Sequence, residues 1–363
     1  MNDMLKRLML PAIVCILMLC CFAVSAVSIP IVAAGVSIHG SDIEREWGAG
    51  QRCARITHML TDDSALSSDE IRQQISQIEN RLITDATYSG EGKALISAYS
   101  AQTTLSMSAS QYGSTVSVKA IAVGGDFFRF HPFELSSGWY PRTDDINDDS
   151  VLLDDIAAWQ LFGALDVAGL TVYIDDLPYI VSGVAPREKS DIFNKVYGSQ
   201  PGIYMVYSAA QRHEYVKGAV WIELMLPNPV DNYARDVVKN VFGSGGGKSV
   251  TVESSSRFSL PRLYKRIGDF ASNSMRTDMV VYPWWENLSV RAADISAMLL
   301  LAATVSLGTA VIIAVGCGLY VCREYGITPK NMTKRAVGKI DDAVERRRAK
   351  KYYAKRNNDE SSE

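Results

Sequence analysis

The sequence predicts an α+β fold in which two transmembrane helices bracket an extracytoplasmic domain of βαβ units, with a smaller β-rich subdomain inserted between the units. Three observations lead to this prediction. Two long apolar runs lie toward the two ends of the 363-residue chain. An amphipathic helix flanked by strand-like segments occurs twice in the region between the runs. Turn-forming residues divide the middle of that region into short strands.

The first apolar run, at 8–38, begins after Arg7, and no further charged residue occurs before Asp42. A helix needs roughly 20 apolar residues to cross a bilayer, so this run is long enough. Lys6 and Arg7, followed by small residues up to Ala26, are also typical of a cleavable leader. Because the apolar run continues past Ala26, an uncleaved anchor is the favoured interpretation, and a removed leader stays open.

The second apolar run, at 294–322, carries no charge between Asp294 and Arg323 and is also long enough to span. Basic residues near a membrane prefer the cytoplasmic side. Lys6 and Arg7 precede the first span, and a basic tail at 323–363 follows the second. Both termini are therefore expected in the cytoplasm, and the region 39–293 is expected outside it.

Aromatic residues precede the second span in the sequence "YPWWENL". Tyr282, Trp284 and Trp285 stand where an aromatic belt at the outer leaflet is expected. The alternative is that the two tryptophans belong to the core of the outer domain.

Composition limits the binding partners and the cysteine chemistry expected for the chain. The net charge is −3, and no groove-reading element is recognised in the basic tail, so the lipid membrane is the expected anionic partner and nucleic acid is not. Cys53 is the only cysteine of the outer domain, which excludes a disulfide within it. No cysteine or histidine spacing is typical of zinc.

The first βαβ unit begins with a strand at 52–61. A helix follows, in which Ser67 and Glu70 form a capping box and apolar residues recur at spacings of three and four. Two strands joined near Gly113 come next. The second unit has a strand at 219–227, a helix at 230–242 and a strand in "KSVTVES". Two such units predict a ferredoxin-like split βαβ arrangement.

The segment 122–186 between the units predicts a smaller β-rich subdomain, which we expect to occupy about 136–215. "SVLLDD" is typical of a short buried strand, and "IAAWQLFG" of a helix that ends at Gly163. "LTVYIDDLPYIVSGVAP" predicts a hairpin with Asp175 and Asp176 in its turn.

The glycine-rich stretch "VFGSGGGKSVTVES" suggests a phosphate-binding loop but lacks its first glycine, because Phe242 stands at that position. The predicted order is helix before loop and strand after it, which is the reverse of a phosphate-binding loop, with Gly243 as the helix C-cap. The four histidines are scattered, and "TDDINDDS" lacks the glycine and glutamate of a calcium loop. We therefore expect no catalytic site, cofactor or metal site, and no enzyme activity.

The ordered motifs of the middle segment resemble the MacB-like periplasmic core domain of ABC transporter permeases of the macrolide-exporter and lipoprotein-release class. The resemblance covers roughly residues 1 to 327, with Trp139 in place of the family's usual arginine. The residues that match the family pattern, all interpreted as structural, are Asp126, Phe127, Gly138, Ala158, Leu161, Phe162, Gly163, Gly169, Gly183 and Val184.

The resemblance implies porter-like βαβ units and a permease-like subunit in a bacterial cell membrane, driven by an ABC ATPase on a separate chain. "REYGI" resembles a family segment that docks on the ATPase, and a basic stop-transfer segment is the alternative. The implied ATPase-contact residues are Arg323, Glu324, Tyr325, Gly326 and Ile327.

The chain departs from the family after Gly338, where two further spans are expected and a charged stretch stands instead. The missing spans suggest a second permease chain or a homodimer as a further partner. A non-transporting membrane sensor or regulatory protein that uses the same outer domain is the alternative function. In either case we expect the outer face of the domain, not a pocket, to carry recognition.

Overall fold

The structure of the chain is a computed structural model. It describes residues 2–37, 52–87, 93–111, 113–143, 149–188, 196–243, 248–269 and 280–324. Its contacts divide the chain into two compact units, one of Ser28–Leu300 and one of Met1–Val27 with Leu301–Glu363.

Two helices are long and apolar enough to cross a membrane, as predicted: α1 (Asn2–Ser37) and, at the end of the described chain, α8 (Trp284–Glu324). In the smaller unit, small residues are buried between them, including Ser25, Ser306 and Ala310. The Cys15 thiol lies 3.7 Å from the Ala310 carbonyl oxygen. Small side chains allow two helices to approach closely, which is how helices associate in lipid.

The larger unit is built on one ten-stranded sheet. Its strands are β1 (Cys53–Leu60), β2 (Ile96–Ser108), β3 (Val116–Gly125), β4 (Ser137–Gly138), β5 (Ser150–Asp154), β6 (Thr171–Ile174), β7 (Leu177–Ala185), β8 (Gly202–Val206), β9 (Trp221–Pro227) and β10 (Ser249–Glu253). Its helices are α2 (Ser68–Thr84), α3 (Phe127–Phe130), α4 (Asp155–Phe162), α5 (Tyr207–Arg212), α6 (Tyr233–Phe242) and α7 (Leu260–Gly268).

Four strands form the predicted ferredoxin-like part, in the order β10-β1-β9-β2 with antiparallel pairing throughout. Strand β9 lies between β1 and β2, so the first βαβ unit is split, and α2 and α6 pack on each other. This arrangement confirms the fold class. All of the chain between β2 and β9 is an insertion into this motif.

The inserted strands extend the same sheet and then close on it. From β2 the pairing continues through β3, β8, β5 and β7, and β6 pairs both with β7 and with the end of β2 at Met107 and Ser108. The six strands therefore form a closed ring, which removes the exposed edge that an open sheet would leave. The limits predicted for an inserted subdomain, about 136–215, stay a prediction.

Period-two alternation along the strands divides the core between the two faces of the sheet. In β9, Ile222, Leu224 and Leu226 join a core cluster that includes α2 and α6, whereas Trp221 and Met225 point to a second cluster on the opposite face. The same alternation places Glu223 on the second face. That face carries the charged side chains described below.

Local sequence features explain most of the element boundaries, and the predicted elements are confirmed. Ser67 and Glu70 form the capping box that starts α2. Gly163 ends α4 with a φ of 69°. Asp175 and Asp176 both have positive φ in the turn of the β6–β7 hairpin.

The glycine-rich stretch has the element order that the sequence predicts. Helix α6 ends at Phe242, which is 4% exposed, Gly243 is its C-cap, and β10 begins at Ser249. Gly243 has a φ of −80°, so the cap does not use the left-handed conformation. Residues 244–247 lie outside the described residues.

His58 is a buried histidine in β1, and its burial makes the stability of the protein depend on pH. Its ring is fully buried against Phe242, with 5.2 Å between ring centroids, and its Nδ1 lies 2.8 Å from the Thr251 hydroxyl. Burial lowers the pKa of His58 from 6.5 to about 4. The folded protein therefore keeps this ring neutral over a pH range in which the unfolded chain binds a proton.

The stabilisation from neutral His58 is present above about pH 6.5 and is lost as the pH falls toward 4. We expect the free energy of unfolding of the full chain in detergent to fall by about 2 kcal/mol between pH 7 and pH 5 because of this group. His58→Leu is expected to remove that part of the pH dependence, whatever its effect at pH 7. An unchanged slope in the variant would show that His58 is not the titrating group.

Candidate functional site

Helix α8 begins inside the core of the outer domain, not at a membrane surface. Trp284 and Trp285 are 4% and 7% exposed. Trp285 packs edge-on against Phe127 and Trp221, at centroid distances of 5.6 and 5.4 Å, and at 4.5 Å from the ring of His131. The prediction of an aromatic belt is therefore wrong for these two tryptophans, and the alternative of a domain core is confirmed.

A buried charge network lies directly beneath Trp285. Glu223 of β9 accepts a 2.7 Å hydrogen bond from Arg55 of β1 and a 2.5 Å hydrogen bond from Nε2 of His131, which follows α3. The Arg55 guanidinium also lies 5.2 Å from the centroid of the Phe130 ring. One carboxylate thus joins three separate elements of the outer domain.

The electrostatics of this network favour the ionised carboxylate. Burial alone raises the pKa of Glu223, but the charges of His131 and Arg55, with the hydrogen bonds from both, outweigh burial and lower the pKa to about 2. The carboxylate is therefore charged at every physiological pH. Removing it would leave two donors facing each other in a water-poor site.

Further ion pairs hold the first turns of α8. Arg257, which follows β10, donates a 2.5 Å hydrogen bond to Glu286, and both side chains are more than 90% buried. Arg266 of α7 donates at 2.6 Å to Asp294. The Trp221 indole donates at 2.8 Å to the Val281 carbonyl just before the helix. The start of α8 is thus fixed by side chains from three segments of the domain.

A cavity of about 390 Å³ lies beside this region, within the size range of small-molecule sites. Aromatic side chains form its walls, and Asp154 and Arg187 contribute polar groups. Asp154 caps α4 and accepts hydrogen bonds from Arg187 and from the Gly202 N–H, both at 2.5 Å. The aromatic lining residues are Phe133, Tyr197, Tyr204 and Trp284.

Asp154 and Arg187 form an ion pair in which both side chains are more than 90% buried, so the polar part of the cavity also has a structural role. Burial raises the pKa of Asp154, while the Arg187 charge and the backbone donors lower it in part. The Arg187 guanidinium stacks 4.2 Å from the centroid of the Tyr197 ring, whose pKa burial raises. The sequence did not suggest this cavity, because its lining residues come from distant parts of the chain.

The residues of the family pattern lie in or beside α3, α4, β4 and β7 and in the loop before β6. Phe127, Ala158 and Val184 are fully buried, and Asp126 is the N-cap residue of α3. Leu161 and Phe162 pack against the first core cluster.

The remaining residues of the family pattern are glycines, and three of them have positive φ. Those three are Gly138, Gly163 and Gly169, and the fourth, Gly183, lies opposite Gly138 in the β4–β7 pair.

The predicted ATPase-contact segment is described only in part. Arg323 and Glu324 are the last two residues of α8, and both are exposed. Residues 325–327 lie outside the described residues. Within the described part of the chain, no group of three or more histidine, cysteine or acidic side chains could hold a metal ion.

The chain matches the model of one protein family, in the region that carries the motifs noted above. Residues 54–241 match the model of the family described as the MacB-like periplasmic core domain. No curated protein sequence matches the chain.

Solved structures of low sequence identity are also similar. One is the periplasmic region of MacB from Actinobacillus actinomycetemcomitans, at 14% identity, covering 63% of this chain and 97% of that chain with a TM-score of 0.39. Another is the extracellular domain of the noncanonic ABC-type transporter YknZ from Gram-positive bacteria, at 12% identity, covering 56% and 99% with a TM-score of 0.37.

Glu223→Ala is expected to lower the free energy of unfolding by about 3–5 kcal/mol, because it leaves Arg55 and His131 buried without their carboxylate. Arg72→Ala is the matched control, since Arg72 pairs with Asp69 on the exposed surface of α2. Its expected effect is below about 1 kcal/mol. Denaturant unfolding of the full chain in detergent measures both, and equal losses would contradict the structural role of Glu223.

Gly138→Ala tests the close approach of β4 to β7. An added Cβ at Gly138 would lie 2.0 Å from the Ser182 carbonyl oxygen, whereas at Gly163 it would meet nothing within 4 Å. Both glycines have similar positive φ, so Gly163→Ala is the control for backbone strain alone. Gly138→Ala is expected to cost about 1–3 kcal/mol more than Gly163→Ala in the same unfolding measurement. Equal costs would rule out the clash.

Proposed function

The chain belongs to the family of MacB-like periplasmic core domains, the outer domains of ABC-type transporter permeases, and we propose that it is a membrane-spanning, permease-like subunit of a MacB-type ABC transporter. In this proposal the outer domain recognises a substrate or a partner protein. An ATPase on a separate chain supplies the energy.

The proposed topology follows from the two apolar helices and the basic residues beside them. Helices α1 and α8 cross the bacterial cell membrane, and the region 39–293 lies on its outer side. Lys6, Arg7 and the basic tail at 323–363 lie in the cytoplasm. This orientation places the predicted ATPase-contact residues on the side of the membrane where ATP is available.

The observation that carries the proposal is the continuity of α8. The helix starts with Trp284 and Trp285 buried in the outer domain and continues without interruption for 41 residues to Glu324. One helix therefore carries both the contacts with the outer domain and the residues proposed to meet the ATPase.

The separate ATPase is proposed because the one glycine-rich stretch that resembles a nucleotide site has the wrong residue and the wrong element order. Phe242 is buried in the core where a phosphate loop requires glycine, and a strand follows the loop instead of a helix. We further propose a second permease chain, or a second copy of this one, as a partner in the transporter. No enzymatic role is proposed for the chain itself.

Recognition is proposed for the outer domain. The sequence favours its outer face, and the cavity beside Arg187 offers a second place of suitable size. Both lie on the same side of the membrane in the proposed topology.

Gentle detergent extraction of the full chain, followed by identification of the proteins that remain bound, tests the proposal directly. We expect an ABC ATPase among them. A kinase or a transcription regulator in its place would support the alternative of a membrane sensor and would contradict the transport proposal.

Replacing Arg323 and Glu324 together by alanine is expected to weaken ATPase association without changing membrane insertion, because these residues end α8 at the proposed contact. Arg235→Ala with Asp236→Ala is the matched control, since this adjacent pair is exposed on α6 of the outer domain. Copurification of the ATPase with each variant is the measurement. Retention of the ATPase by the Arg323 and Glu324 variant at the control level would remove these residues from the contact.

A further inference from the structure

Helix α7 packs against the ends of both apolar helices that are nearest the outer domain. It begins after Ser259 with Pro261 in its first turn. Leu263 is fully buried and contacts Ala297 and Leu300 of α8, with Ile29 of α1 packed against the same cluster. The buried Leu263 side of α7 therefore packs against the two apolar helices.

These contacts fix the depth of α7 relative to the apolar part of α8. Asp294 is the last charged residue of α8 before Arg323. Leu300 lies six residues beyond it, which is about 9 Å along the helix axis. Ile29 likewise lies within the apolar segment Leu8–Gly35. A helix that packs on these residues lies at the level where the hydrocarbon region begins.

Two ion pairs fix which side of α7 faces outward. Arg266 donates to Asp294 at 2.6 Å and to the Val290 carbonyl at 3.3 Å. Arg262 donates to Glu253 at 2.9 Å. Both arginines thus have partners in the protein, and α7 cannot rotate about its axis without breaking these hydrogen bonds.

The outward side of α7 combines apolar, aromatic and basic side chains. Leu260 and Tyr264 lie one turn apart and are 58% and 49% exposed. Lys265 is exposed beside them. Met298 of α8, which is 57% exposed, continues the apolar surface toward the membrane-spanning part. Helices with this combination lie in the membrane–water interface.

We propose that α7 is an interfacial helix that binds phospholipid of the outer leaflet. Leu260 and Tyr264 enter the boundary between headgroups and acyl chains, and Lys265 binds the phosphate of an anionic headgroup. The helix thereby anchors the outer domain to the bilayer surface beside the point where α8 enters it. This inference rests on the proposed function in one respect, namely that α8 crosses the membrane.

Site-specific photo-cross-linking in the reconstituted full chain tests the proposal. A benzophenone amino acid replaces Tyr264 in vesicles of phosphatidylcholine with a minority of phosphatidylglycerol, and mass spectrometry identifies the adducts. The same amino acid at Met298 reports whether α8 contacts lipid. At Gln77, which is exposed on α2, it serves as the control far from α7 in sequence.

Lipid adducts at positions 264 and 298, without lipid adducts at position 77, are the expected result. Adducts at 298 but not at 264, or only protein adducts at 264, would overturn the proposal and leave the membrane span intact. Lipid adducts at 77 as well would overturn it, since they would show unspecific labelling. Absence of lipid adducts at 298 would overturn the membrane span and this inference together.

The charge of Lys265 is tested in the same vesicles. We expect phosphatidylglycerol to be enriched roughly five-fold over its bulk share in adducts at position 264, because one basic side chain at a membrane surface contributes about 1 kcal/mol. Lys265→Glu is expected to abolish that enrichment while keeping phosphatidylcholine adducts. Unchanged enrichment in the variant would overturn the role of Lys265.

Discussion

Burial of Trp285 against the sheet is the interaction on which the rest of the structure depends. Its ring contacts His131 and Trp221, and this contact makes the start of a helix that is long and apolar enough to cross a membrane part of the core of the outer domain. A helix fixed in this way cannot tilt at its first turns without exposing large aromatic surface and the Glu223 network beneath it. The proposal that one helix serves both the outer domain and the ATPase contact rests on that constraint.

The buried charges specify how the aromatic surfaces fit together. A buried ion pair contributes little net stability compared with apolar packing, but removing one partner is costly. Glu223 accepts only where Arg55 and His131 converge, and Glu286 only where Arg257 reaches it. The Glu223 network therefore fixes β9 against β1 and the segment after α3, whereas the Arg257–Glu286 pair penalises any other register of α8 against the outer domain. The ion pair of Arg266 with Asp294 extends the same restriction to α7.

Local chemistry made much of the fold predictable, whereas long-range pairing did not. The capping box at Ser67 and the turn at Asp175 act over a few residues, so the sequence shows them directly. Closure of the strand ring and the pairing of Arg55 with Glu223 join residues far apart in the chain, and no periodicity identifies such partners. Trp285 was misplaced at the membrane surface because an interfacial belt and a domain core favour the same residue type.

Amide hydrogen exchange of the full chain tests the central claim, that the start of α8 belongs to the core of the outer domain. The amides of residues 288–293 lie within α8 before Asp294, and those of β9 report the core of the sheet. We expect both sets to exchange equally slowly, because both open only when the domain core opens. Fast exchange at 288–293 with a protected β9 would show that α8 is attached to the domain only loosely, and would contradict the account.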